Sequence, residues 1–230
     1  MEVFAGIDEA GRGAVIGPLV VAGVSVEKDN IPKLQEIGVK DSKLLSPQKR
    51  EILAKKIQGL TVDIIVVSVS ACKIDNLRAG GVNLNRIETT KFADIITLLN
   101  PTVVYVDSHD VRPDRLEREL HALIKGNYKI VAEHKADVRY PVVAAASIIA
   151  KVTRDKEIKK LHKEFGDFGP GYSSNEHTIT WMKNWIAEKK EWPDIVRKSW
   201  ETSKQIKDGK RQQGITRFFR RSKKEDCVPK

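Results

Sequence analysis

The sequence is poor in cysteine and has no long apolar run, and each absence removes a class of protein. Two cysteines among 230 residues, Cys72 and Cys227, are too few for a disulfide framework and sit in no CxxC or Cys/His spacing that would hold zinc. Both read as free thiols. The longest apolar stretch, Val142 to Ala150, is less than half of the ~20 residues that a membrane-spanning helix needs. Met1 to Ile7 has no basic segment ahead of an apolar one and no small-residue cleavage site, so no secretory signal is read and the cytoplasm is the expected compartment. A Walker sequence, a GxSxG elbow and an HExxH pair are all missing. Neither Ser147 nor the five histidines fall in a Ser/His/Asp order, so covalent catalysis is not indicated. No internal repeat is visible.

What remains is a chain of 25.9 kDa with 40% hydrophobic and 31% charged residues, long enough to bury a core without staples. Its 41 basic against 31 acidic residues leave a net charge of +10, which a phosphate-rich partner would favour. The excess is unevenly placed. Ser203 to Lys230 holds ten Lys or Arg against three acids, so +7 lies in the tail and +3 in all the rest. A basic tail is either a solvated terminus or a binding element.

Apolar and β-branched runs at Val3–Ile7, Leu19–Val26, Thr61–Val69, Thr102–Val106 and Tyr128–Ala132 predict five strands. Helical patterns lie between them. Ser46 and Pro47 form a cap and first-turn proline for a helix carrying Ile52, Leu53 and Ile57. Leu84, Ile87, Phe92, Ile95 and Leu99 mark a second helix, ending before Pro101. Pro113 to Lys125 predicts a third with Leu116, Leu120, Leu123 and Ile124 inward and Gly126 beyond its end. Pro141 to Phe165 reads as a long helix with a buried first half. After Gly166 come a Gly- and Pro-rich loop and two short helical patterns, Ile179–Ile186 and Ile195–Trp200. The expected fold is α/β, a five-stranded mixed sheet flanked by helices with a small C-terminal helical extension. The expected divisions are a core over 1–165, an extension over 166–204 and a basic tail over 205–230.

Two of the predicted strands end in carboxylates, Val3–Ile7 in Asp8 and Glu9, and Val103–Val106 in Asp107. In an α/β sheet that is the ligand edge. If the strands are parallel neighbours, Asp8 and Asp107 approach within a few ångströms of one another, and such acids repel unless a cation compensates. An oxygen-only set suits a hard divalent ion. The plain alternative is that these acids follow strands by chance or cap turns. Gly11, Gly13 and Gly17 follow directly, but a strand rather than a helix comes next, so the dinucleotide fingerprint fails. A tight turn beside the acids is left, suited to close approach of a substrate or simply needing positive φ.

Asp8-Glu9-Ala10-Gly11-Arg12-Gly13 with Gly17-Pro18, Asp41-Ser42-Lys43-Leu44, Val106-Asp107-Ser108, His134-Lys135-Ala136-Asp137, Ala146 to Asp155 and Gly169-Pro170-Gly171-Tyr172 occur in this order. Together they closely resemble type 2 ribonuclease H, ribonuclease HII, over roughly residues 3 to 204. The resemblance implies a ribonuclease H-like fold and an endonuclease that cuts the RNA strand of RNA/DNA hybrids and at ribonucleotides embedded in duplex DNA. It implies Asp8, Glu9, Asp107 and Asp137 as catalytic ligands for two ions, Mg²⁺ or Mn²⁺. Asp137 comes from the resemblance alone, since by itself it reads as an exposed acid in a loop between strand and helix. The resemblance further implies that the backbone of Gly11, Arg12 and Gly13 reads the 2′-hydroxyl, that Tyr172 packs on the sugar of the following nucleotide, and that Lys43, Lys151 and Arg154 lie near the substrate backbone. Without it, Tyr172 reads as a loop aromatic on the core and Lys43 as a solvated lysine. Ser173 stands where the family commonly has proline. A monomer is expected. Competing readings are another nuclease or junction resolvase on the same fold, and a non-catalytic nucleic-acid-binding subunit.

Within the tail, Gln212-Gln213-Gly214-Ile215-Thr216-Arg217-Phe218-Phe219 fits the sliding-clamp peptide pattern, with Gln212, Ile215, Phe218 and Phe219 at its fixed positions. One helical turn would gather Ile215, Phe218 and Phe219 into an apolar plug for a hydrophobic pocket. The implied partner is a ring-shaped clamp of the proliferating cell nuclear antigen (PCNA) type, which suits an archaeal origin. The alternative is that the turn folds back on the chain's own core.

Overall fold

The computed structural model describes residues 2–39 and 45–209. Lys43 with its Asp41–Leu44 motif, and the clamp-type peptide Gln212–Phe219, therefore lie outside the described residues. The five strands are β1 (Val3–Ala10), β2 (Leu19–Glu27), β3 (Asp63–Val69), β4 (Val103–Asp107) and β5 (Lys129–Glu133). They form one mixed sheet in the order β3-β2-β1-β4-β5. β1 pairs antiparallel with β2 and parallel with β4, and β4 pairs parallel with β5.

Nine α-helices stand among the described residues: α1 (Ile31–Glu36), α2 (Pro47–Gln58), α3 (Ala71–Ala79), α4 (Leu84–Leu99), α5 (Pro113–Leu123), α6 (Ala136–Arg139), α7 (Pro141–Phe165), α8 (Glu176–Lys189) and α9 (Glu201–Lys207). Their starts follow local chemistry. Ser46 Oγ accepts from the Lys49 amide at 3.3 Å and Pro47 opens α2, while Asn83 Oδ1 caps α4 through the Arg86 amide at 2.8 Å. α4 ends at Asn100 in the left-handed conformation, directly before Pro101.

The sheet is covered on both faces. One core packs α7, α2 and α1 against Val20, Ala22, Val24 and Val26, and the other packs α4 and α5 against Ile7, Leu19, Val21, Val104 and Val106. α7 approaches β1 so closely that a Cβ on Gly6 would lie 2.2 Å from the backbone of Val142. The start of α7 runs through Ala144, Ala145 and Ala146, all fully buried, and small side chains permit that contact. A third core joins Val15, Ile16 and Ile158 to Phe168, Met182, Trp192, Ile195 and Val196, so the C-terminal extension packs directly onto the turn between β1 and β2.

Several expectations are corrected. Asp137 lies on the one-turn helix α6 and not in a loop, and it is buried. Ile195–Trp200 is not helical: Gly17 donates to the carbonyl of Ile195 at 2.8 Å and Ile16 bridges to Val196, so those apolar residues seat a turn in the third core. α5 stops at Leu123, and Ile52 faces outward at 59% exposure. α1 and α3 are additional to the helices expected from the sequence.

Candidate metal centre

The parallel register sets Ile7 opposite Val106, so Asp8 and Asp107 emerge side by side at the carboxyl ends of β1 and β4. Asp137 reaches the same place by a different route. After β5 the chain turns through Lys135 in the left-handed conformation (φ 57°), and the amide of Ala136 donates to Asp107 Oδ1 at 2.9 Å, docking α6 against β4. One carboxylate oxygen from each of Asp8, Asp107 and Asp137 then falls within 4.8 Å of the others.

Glu9 is not part of that trio. It follows Asp8 on a strand, so its side chain leaves from the opposite face of the pleat. Its surroundings are nonetheless those of a charge awaiting a counter-ion: Glu9 Oε2 is buried with no hydrogen-bond partner. Burial first, then repulsion from Asp8, holds the Glu9 carboxyl well above its ordinary range. Burial also drives Asp8, 6% exposed, up to about 7, with Asp107 adding to the rise. The hydroxyl of Ser147 opposes it by donating to Asp8. Ser147 in turn accepts from Lys151 Nζ at 2.7 Å, and the Glu9 amide donates to Asp8 Oδ1 at 2.7 Å. Crowded hard oxygen donors, one of them orphaned in the interior, fit a divalent cation.

Beside the acids lies the turn Gly11–Gly17. Gly11 has φ +83° and a Cβ there would meet Arg154 Nε at 2.2 Å, whereas Gly13 faces open space. The Arg12 side chain points inward to an ion pair with fully buried Glu88 on α4 and a 2.8 Å bond to Asn85 Oδ1. That leaves the backbone of the turn, not its arginine, available to a ligand. His109 packs edge-on to Phe92 behind this pair, and burial followed by the Arg12 charge lowers its pKa to about 4. The Tyr172 backbone bridges to Ala14, and its ring lies against Arg154, whose side chain borders Gly11 of the same turn.

Ser147, Lys151, Arg154 and Ile158 follow one another along a single stripe of α7. Lys151 sits at the edge of the acidic site. Arg154 is 4% exposed, and its guanidinium donates to the carbonyls of Ile16 at 3.2 Å and Pro170 at 3.1 Å and lies 4.8 Å from the centre of the Tyr172 ring. It is directed into the protein and holds the tyrosine loop. The sequence carries no sign of the inward roles of Glu88 and Arg197, which lie in no motif, and Ser147, inside the Ala146–Asp155 motif, is read there only as no covalent nucleophile. Buried polar side chains look like surface ones until the fold is known.

The comparisons with known proteins agree with this geometry. The family model described as Ribonuclease HII matches residues 5–203. Ribonuclease HII of Pyrococcus furiosus is 46% identical over 222 residues, covering 94% of this chain and 98% of that protein. The crystal structure of ribonuclease H2 from Pyrococcus horikoshii superposes with a TM-score of 0.85 at 43% identity, covering 90% and 98% of the two chains. The ribonuclease HII of Archaeoglobus fulgidus, solved as a complex with PCNA, gives 0.81 at 48% identity, covering 86% and 95%. None of the described helices is long and apolar enough to cross a membrane. A matched segment running from β1 to the start of α9 and including Asp8, Asp107 and Asp137 leaves one assignment: the chain belongs to the ribonuclease HII family and is a type 2 ribonuclease H.

Proposed function

We propose that this nuclease cuts the RNA strand of RNA/DNA hybrids and incises duplex DNA at single embedded ribonucleotides, leaving 3′-hydroxyl and 5′-phosphate ends. The observation that carries this reading is the convergence of Asp8, Asp107 and Asp137 beside a backbone turn and an aromatic ring. Two divalent ions, Mg²⁺ or Mn²⁺, held by Asp8, Glu9, Asp107 and Asp137, would supply Lewis acidity and charge compensation at the scissile phosphate. The chain's own contribution is to position. Ser147 orients Asp8, and the Ala136 amide orients Asp107. Lys151, one turn along α7, offers positive charge toward the approaching phosphate backbone. Gly11, Arg12 and Gly13 present main-chain donors to the 2′-hydroxyl, and Tyr172, held by Arg154, packs on the next sugar. Lys43 is a further proposed backbone contact. Water supplies the attacking oxygen; the bond from phosphorus to the 3′-oxygen breaks, and that oxygen leaves with a proton as the 3′-hydroxyl.

A PCNA-type clamp, bound through Gln212, Ile215, Phe218 and Phe219, is the proposed partner. The pairing of the Archaeoglobus relative with PCNA supports it. The deciding assay offers the enzyme a DNA duplex with one ribonucleotide, a long hybrid and an all-DNA duplex, each with Mg²⁺, Mn²⁺ or chelator. Metal-dependent incision at the ribonucleotide, lost in Asp107→Asn and absent on all-DNA duplex, is expected. Equal cutting of all-DNA duplex would refute the reading in favour of a resolvase.

A further inference from the structure

Arg197 is the largest fully buried side chain of the described residues, and it forms no ion pair among them. Its guanidinium donates only to main-chain carbonyls: Nη2 to Gly11 at 2.6 Å, Nη1 to Arg12 at 2.7 Å and Nε to Gly17 at 3.2 Å. One planar fork thus grips both ends of the turn after β1, across 180 or more residues of chain. Its own mounting is rigid. The Arg197 amide donates to the Val15 carbonyl at 2.9 Å, and the Arg197 carbonyl accepts the Ser203 hydroxyl at 2.8 Å. The Trp200 ring centre lies 4.8 Å from the guanidinium carbon, with Arg78 of α3 also over that ring at 5.1 Å. Asp75 of α3 accepts from the amides of Lys198 at 2.6 Å and Ser199 at 3.0 Å, which pins the segment from the other side. Burial, then the nearby Arg154 charge, lowers the Arg197 pKa to about 9, so it stays cationic at neutral pH.

In a trans peptide the carbonyl of one residue and the amide of the next point in opposite directions across a single plane. No cis peptide bond occurs among the described residues. Holding the Gly11 and Arg12 carbonyls inward therefore aims the amides of Arg12 and Gly13 away from Arg197. A cation on the carbonyl also polarises the peptide and strengthens its N–H as a donor. We infer that Arg197 is a positioning residue for ribonucleotide discrimination, an arginine of the C-terminal extension that sets the direction and donor strength of the Arg12 and Gly13 amides. This rests on the proposal that the turn reads the 2′-hydroxyl.

The test compares wild type, Arg197→Lys and Trp200→Leu in three measurements: kcat/KM on a DNA duplex with one ribonucleotide, affinity for that duplex and its all-deoxy counterpart in chelator, and Mn²⁺ affinity by calorimetry. Lysine keeps the charge but has no fork. The expected outcome for Arg197→Lys is a kcat/KM reduced about 10- to 100-fold and a narrowed affinity gap between the duplexes, with Mn²⁺ and all-deoxy affinities within about twofold of wild type. An unchanged gap overturns the inference, and so does a parallel fall in Mn²⁺ and all-deoxy affinity, which marks general loosening. If Arg197→Lys does not melt cooperatively, Trp200→Leu decides: it retains the guanidinium but removes the ring beneath it, and the gap should narrow about threefold. No narrowing there overturns the inference. A wild-type enzyme that ignores the ribonucleotide would sink the proposed function itself, whereas discrimination that survives both substitutions sinks only the role of Arg197.

Discussion

Replacing Asp8 should make this protein more stable and, on the proposed mechanism, inactive at once. The folded state holds Asp8 at about 7 against 3.8 for the free carboxyl. The sign follows from proton binding: between these values the folded chain holds a proton that the unfolded chain has lost, so the stability contributed at Asp8 declines as pH rises from about 4 through about 7. At about 1.36 kcal/mol for each pH unit, the shift corresponds to roughly 4 kcal/mol, and sharing the strain with Glu9 brings the part removable at Asp8 to about 2–4 kcal/mol. Asp8→Asn removes the ionisation, keeps an acceptor for the Ser147 hydroxyl and the Glu9 amide, and offers an N–H toward Asp107. For a chain of this size that is a rise in melting temperature of ~5–10 °C at about pH 8 in chelator. The assay is thermal denaturation by circular dichroism from about pH 4 to about pH 8, with and without Mn²⁺. Burial of His109, lowered to about 4, adds stability up to about pH 6.5 in both proteins, so the reading is their difference: Asp8→Asn should gain on wild type as pH rises through about 7 in chelator. Mn²⁺ should close that gap, because an ion bound to the ionised acids stabilises the folded wild type more than the variant. A variant that melts below wild type in chelator at about pH 8, or a difference between the two that does not vary with pH, would refute the reasoning.

Glu88→Ala removes the ion-pair partner of the half-buried Arg12, leaving it only the neutral Asn85, and should cost about 2–3 kcal/mol, read as a melting temperature lower by ~5–10 °C; a loss under about 1 kcal/mol would contradict the buried pair. Tyr172→Phe retains the ring beneath Arg154 and should keep most activity, whereas Tyr172→Ala should lower kcat/KM on a single-ribonucleotide duplex about tenfold, close to 1.4 kcal/mol of aromatic contact. Phe218→Ala combined with Phe219→Ala should weaken binding to a PCNA-type clamp at least about tenfold in titration calorimetry and leave clamp-free cleavage unchanged; unchanged clamp affinity would dismiss the peptide.

All five strands were legible because continuous β-branched runs suit a sheet covered on both faces, and Asp8 and Asp107 were legible because they end two of those runs. Asp137 carried no such mark. It is placed by a left-handed lysine and a helix of four residues, too short to show any period. The same limit hid α1, while the spacing of Ile195 and Val196 imitated a helix when its cause was packing against Ile16. Ile52 had the spacing of a core residue but faces outward on α2, because Leu53 and Ile57 already fill the buried side of that helix. Glu9 leaves β1 on the other side of the pleat from Asp8, yet it stays close enough for Asp8 and Asp107 to repel it, a proximity that strand alternation alone does not reveal. An arginine read alone suggests surface, so the inward roles of Arg12, Arg154 and Arg197 depended on partners 70 to 190 positions away.

The acidic trio is assembled from segments that leave the ribosome at widely separated times. Asp8 is among the first residues made, but its neighbour Asp107 can reach it only once β4 has been synthesised and has docked beside β1. Asp137 and the supporting hydroxyl of Ser147 come later still. A nascent chain that has not yet reached Asp137 therefore lacks the complete carboxylate trio, and the centre can form only once most of the sheet has been made.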